Sequence, residues 1–193
     1  MTNLNTLKDR AYKNAVAHGW HEEELSNEHL LCLVISELME AVEADRKGQR
    51  AEKDKFYREF EFVVTAQRLS GYDYDRTFVV MFDRYIKDTI EDELADACIR
   101  IFDLAGLRNC NLSYIDSLIY LGKVTFTEFC YLFCSFISNP DKSSKDWLER
   151  HLNYSLGWIF SFCKRNNINI LWHIEQKMKY NELRPYKHDG KKY

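Results

Sequence analysis

Helix punctuation recurs through this chain, and punctuation for strands is scarce. Three pairs spaced by three residues, Thr89 with Asp92, Thr125 with Glu128 and Ser143 with Asp146, have the capping-box form, and each precedes an apolar periodic run. Only two prolines and seven glycines serve 193 residues, too few to break the chain into hairpins. The chain therefore reads as all-α, a helical bundle forming one domain over residues 1–193.

Periodicity places the helices. Residues 4–18 set Leu4, Leu7, Ala11 and Ala15 on one face and end at Gly19. The stretch LLCLVISELMEAVEADRKG, Leu30 to Gly48, has Ser26 to cap it, Glu28 in the favourable first turn and Gly48 as a left-handed stop. Its apolar residues from Leu30 to Val42 cover almost the whole circumference, which predicts burial on most sides. A charged amphipathic helix follows over residues 51–69, ending at Ser70-Gly71, and another over about residues 77–87, whose Phe78-Val79-Val80 run also suits an extended segment. The last helix, about residues 168–183, starts after Asn166-Asn167 and must stop by Arg184, because Pro185 disfavours helix in the residue before it. The aromatic run FTEFCYLFCSFI reads as core.

Composition excludes several function classes. A hydrophobic share of 46% with 15% aromatics is that of a globular protein, and a net charge of -3 lacks the footprint of a nucleic-acid binder. The greasiest run, Phe129 to Ile137, is nine residues long, against the roughly 20 that a membrane-spanning helix needs. The first twenty residues lack a basic start, an apolar core and a cleavage site, so a cytoplasmic protein with no membrane contact is expected. Six cysteines, none in a Cys-x-x-Cys pair, fit reduced, buried thiols rather than disulfides or a zinc site.

The chemistry lies in two acidic pairs. Glu37 and Glu40 stand one turn apart in an apolar helix, and Glu93 and Asp96 repeat the arrangement in TIEDELADACIRIFDLAG, Thr89 to Gly106. Buried carboxylates are costly to hold charged, and four converging ones raise each other's pKa values unless a cation neutralises them. All-oxygen ligation selects a hard cation, Mg²⁺ with Mn²⁺ as a substitute. A di-iron centre would need Glu-x-x-His on two helices, and none of the six histidines has a Glu three residues before it. Arg100, one turn beyond Asp96, is placed to pair with a ligand carboxylate, and Asp103, three further on, to reach a metal, though both read first as structural.

The end of the chain is basic. His173, Lys177 and Asn181 are spaced by four, with Arg184 three further on, and Lys179, Lys187, Lys191 and Lys192 add charge around them. From Lys177 to Tyr193 there are six Lys and Arg against two acids. An ammonium, a guanidinium fork and a neutral amide donor on one polar face suit a polyphosphate.

Taken in order, ISELMEAVEADRKG, EDELADACIRIFDLAG and the ending HIEQKMKYNELRPYKHDGKKY resemble the MazG-like all-α nucleotide pyrophosphohydrolases, which include the dimeric dUTPases. The resemblance implies a MazG-like helical bundle that assembles as a homodimer or homotetramer. It also implies Mg²⁺-dependent hydrolysis of a nucleoside triphosphate to the monophosphate and pyrophosphate. Glu37, Glu40, Glu93 and Asp96 would bind the metal or supply the general base, and Lys177, Asn181 and Arg184 the phosphates, with Trp20 stacking on the base. Residues 49–82 and 109–167 exceed the compact family form and read as insertions. The competing expectations are a non-catalytic nucleotide- or ion-binding helical module, and hydrolysis of phosphoribosyl-ATP.

Overall fold

The computed structural model describes residues 3–67, 73–114 and 122–189. Eight α-helices and no strand occur among them: α1 (Leu4–Ala17), α2 (Asn27–Arg46), α3 (Lys53–Gln67), α4 (Tyr74–Tyr85), α5 (Ile90–Leu107), α6 (Phe126–Ile137), α7 (Trp147–Arg165) and α8 (Ile170–Glu182). A 3-10 turn, Tyr186–Asp189, follows.

α5 is the axis of the bundle. Thirteen of its 18 residues are buried, because α1, α2, α7 and α8 pack around it. A helix enclosed on nearly every side has to be apolar nearly all round, as Leu94, Ala95, Ala97, Cys98, Ile101, Phe102, Leu104 and Ala105 make it. α6 packs on α2 and α7, and buries Phe129, Phe133 and Ile137 in the same core. α3 and α4 pair around a second, aromatic cluster of Phe56, Phe78, Phe82 and Tyr85. That cluster joins α8 where Phe82 stacks on Tyr180, ring centroids 4.4 Å apart. The stretches read as insertions thus hold α3 with most of α4, and α6 with α7; the second pair thickens the main core.

Several boundaries follow the sequence. α1 buries Leu4, Leu7, Ala11 and Ala15 and gives way to Gly19 at φ 79°. Ser26 caps α2, accepting from the His29 N–H at 3.1 Å, and Gly48 sits at φ 67° beyond its end. Thr125 and Glu128 form a full capping box. Asn169 caps α8.

Other expectations are corrected. Thr89 accepts from the Asp92 N–H, but the Asp92 carboxylate takes the Asp88 N–H at 3.1 Å, so only half the box forms. The Ser143–Asp146 box is absent: α7 starts at Trp147 and Asp146 at its N-cap makes no side-chain cap bond. Ser143 instead donates its N–H to Asp141. α4 begins three residues earlier than expected, because Asp73 caps it by accepting from the Arg76 N–H, and the Phe78-Val79-Val80 run is helical. α2 is not buried on most sides: Val34, Leu38 and Ala41 face inward, whereas Met39 is 46% exposed and Glu40 is exposed beside it. Burial of the six cysteines is incomplete too, since all are free thiols but Cys32 is exposed. The helix end at Ser70-Gly71 and the tail lysines Lys191 and Lys192 lie outside the described residues. No helix among the described residues is long and apolar enough to cross a membrane.

α1 packs against α5 beside Gly106, where an added Cβ would stand 2.5 Å from the Tyr12 Cβ. Gly106→Ala is therefore expected to destabilise the fold by about 1–3 kcal/mol through overpacking. Urea denaturation checks this: the midpoint should fall with the slope unchanged.

Candidate metal and anion site

α1, α2, α5 and α8 leave a cavity of about 400 Å³ between them. Its lining includes Trp20, Glu37, Glu40, Glu93, Asp96, Lys177, Asn181 and Arg184, so the two acidic pairs, the basic face and the tryptophan meet in one place. Asn14, Ser36, Lys87, Asp88, Arg100, Asp103 and Tyr180 complete the polar part of the wall.

The acids differ in environment. One oxygen each from Glu37, Glu93 and Asp96 lie within 4.8 Å of one another. Glu37 (6% exposed) and Glu93 (4%) are buried against the α2–α5 contact, and Asp96 is partly open to the cavity. Glu40 lines the same cavity from the exposed edge of α2 and is not part of the close trio. Its position follows from helix geometry: a residue three beyond the inward Glu37 is offset by about 60° round the helix, enough to reach the rim.

Desolvation dominates the electrostatics. Burial pushes the Glu93 carboxyl up to about 9 against the attraction of Lys177, with Asp92, Asp96 and Glu40 repelling in the same direction. Burial and the Asp96 charge push Glu37 up to about 7, although Arg100 opposes them. The Arg100 Nε donates to Glu37 at 2.9 Å, which is the partner role expected for it. Asp103 accepts from His21 Nε2 at 2.7 Å, an interaction that holds Asp103 at the cavity wall.

The basic face turns inward. His173, Lys177 and Asn181 are all buried, the latter two at the cavity between α8 and α5. The Lys177 ammonium donates to Asp92 at 2.7 Å and lies 2.9 Å from Asp96. Burial works to lower its pKa, but these two carboxylates outweigh it and hold the ammonium above its ordinary range. Asn181 Nδ2 donates to Asp96 at 3.4 Å, and its Oδ1 is buried with no hydrogen-bond partner. Burial pushes His173 down to about 4, so it is a neutral ring near physiological pH. It faces the α3 side, next to Lys53 and Trp172, away from the role of an anion ligand.

Arg184 reaches the cavity through the segment that follows α8. His18, at the end of α1, contacts the Arg184 carbonyl with Nε2 at 2.9 Å and the Asn14 carbonyl with Nδ1 at 2.8 Å. The Lys187 N–H then donates to the His18 carbonyl, and Glu22 takes both Tyr186 and Lys187 side chains. The strap thus lies against the end of α1, and Arg184 lines the cavity.

Three contributors escape sequence reasoning. Lys87 and Asp88 join the wall from the α4–α5 connection, where Asp88 takes φ 57°. Asp92 is the partner of a lysine 85 residues away. Only its i, i+4 spacing from Asp96 hints at a shared face.

Three oxygen donors with no thiolate or imidazole among them fit a hard divalent cation. Burial raises two of those carboxyls, Glu93 to about 9 and Glu37 to about 7, and a bound cation would favour their ionised forms. No family model, curated protein or solved structure matches the chain.

The Glu93 shift carries a sign. Its folded pKa of about 9 stands above the ordinary 4.5, so between these values the folded state holds a proton that the unfolded state releases. Without divalent cations, stability should fall as pH rises between about 5 and 9. Glu93→Gln should flatten that slope in thermal melts.

Proposed function

We propose that this chain is a divalent-cation-dependent nucleoside triphosphate pyrophosphohydrolase of the MazG-like kind, releasing pyrophosphate and a nucleoside monophosphate. The observation that carries the reading is the meeting of Glu37, Glu93 and Asp96 within 4.8 Å on one wall of the cavity that Arg184 also lines. Acids that need a cation, beside a guanidinium suited to phosphate, are the minimum equipment for phosphoryl chemistry.

Glu37, Glu93 and Asp96, with Glu40 at the rim, would hold a magnesium ion, which would supply Lewis acidity to offset phosphate charge and acidify water. The other roles fall to the chain itself. Arg184 binds phosphate oxygens with its fork and stabilises charge developing on the pyrophosphate. Asn181 orients Asp96 and offers a polar edge to the cavity. Trp20 gives the cavity an aromatic wall against which a base can stack. Lys177, neutralised by Asp92 and Asp96, sets the charge of the acidic wall before it meets any phosphate. Assembly as a homodimer or homotetramer belongs to the same proposal.

The pairing of Lys177 with two carboxylates also favours a second reading, a non-catalytic module in which internal salt bridges replace the metal. Product analysis separates them. With Mg²⁺ and a panel of nucleoside triphosphates, the first reading expects one pyrophosphate per turnover, no inorganic phosphate, and a loss of roughly 100-fold or more in Glu37→Gln and Glu93→Gln. Release of phosphate alone, or no turnover of any triphosphate, would contradict it. A second series on Arg184→Ala should raise KM and lower kcat, since this residue is assigned to both ground-state and developing charge.

A further inference from the structure

Asp92 has no access to the cavity, yet it is the most completely buried acid near it, at 0% exposure. Its Oδ2 accepts from Lys177 Nζ at 2.7 Å and from the Asp88 N–H at 3.1 Å. Its Oδ1 is buried with no hydrogen-bond partner. A carboxylate left half-satisfied in a dry site is a cost. Packing alone does not account for it, because an apolar side chain of the same size would fill the space without that cost.

What Asp92 does is visible in its partner. Asp92 and Asp96 stand one turn apart on α5, and both face the same α8 lysine. With two acceptors, the ammonium divides its charge between them and sits nearer to Asp92. With Asp96 as sole acceptor, the whole charge would fall on a carboxylate that also belongs to the Glu37–Glu93–Asp96 trio. A divalent cation would then compete with a buried ammonium, and displacing that ammonium would strand it without a counter-ion.

We infer that Asp92 is a positioning residue: it retains the Lys177 ammonium as its own counter-ion and so leaves Asp96 available to a divalent cation. The inference rests on the cation-dependent reading of the site. Asp92 touches neither cation nor substrate; it acts through Lys177.

The test is a Mn²⁺ titration followed by electron paramagnetic resonance of the free ion, which needs no turnover. Wild type, Asp92→Asn and the double variant Asp92→Asn/Lys177→Met are compared, with circular dichroism confirming the fold of each. Asp92→Asn is expected to weaken Mn²⁺ binding about tenfold, as Lys177 commits fully to Asp96. The double variant removes both charges and should return to within about threefold of wild type. A merely structural role would lower the melting temperature of Asp92→Asn and leave Mn²⁺ affinity unchanged, which would overturn the inference. A double variant as weak as the single one would overturn it too. Where Asp92→Asn does not fold, the double variant alone decides, with a tenfold loss counting against the proposal. Wild type without saturable Mn²⁺ uptake would overturn the cation-dependent reading and this inference together, whereas wild-type binding with unaltered Asp92→Asn overturns the inference alone.

Discussion

Desolvation of carboxylates along one side of α5 is the constraint to which the rest of the site answers. α5 is enclosed by four helices, and Asp92, Glu93 and Asp103 are carried into that enclosure with the aliphatic residues around them. Each buried acid must be protonated, paired or met by a cation. The first two solutions appear within a few residues: Glu93 is driven towards its neutral form, whereas Asp92 and Asp96 share Lys177 and Glu37 pairs with Arg100. An assembly of this kind is a poor way to stabilise a fold, because apolar residues would serve as well or better. Its place at the wall of a cavity supports the proposed cation site.

The helices around α5 have complementary tasks. α2 brings Glu37 inward and keeps Glu40 at the rim, α8 supplies the buried lysine and amide, and α1 anchors the strap that carries Arg184. α6 and α7 back α2 and α5 with the stacked rings of Phe129 and Phe162, centroids 4.2 Å apart. α3 and α4 make their own aromatic cluster and meet the cavity only through Lys87 and Asp88 at the end of the α4–α5 connection. Rigid elements thus hold every acid of the trio, which is the condition for a defined coordination geometry.

Much of this was legible in the residues. The apolar face of α1, the Thr125–Glu128 box, the Gly48 stop and the Asn166-Asn167 break before α8 are local signals, decided by a few neighbouring side chains. The meeting of the two acidic pairs with Asn181, Arg184 and Trp20 was legible as chemistry, because like charges in apolar helices demand a common answer. What escaped depends on tertiary context. Glu40 and Met39 are exposed because α2 is covered on one face only, a fact that periodicity cannot supply when apolar residues surround the helix. Ser143 met competition from Asp141, which takes its N–H. Lys177 was read as a free charge for an anion, and its commitment to Asp92 and Asp96 needs contacts across the whole chain.

The most direct test of the central claim is calorimetry of Mg²⁺ binding in two buffers of different ionisation enthalpy near neutral pH. Glu93 carries a proton there, since its pKa stands near 9, and a cation taken up by the trio must expel it. Uptake of each ion should release between about one and two protons, one from Glu93 and a fraction from Glu37 with its pKa of about 7, and Glu93→Gln should lower that release by about one. Binding with no proton release, or no binding at all, would contradict the account.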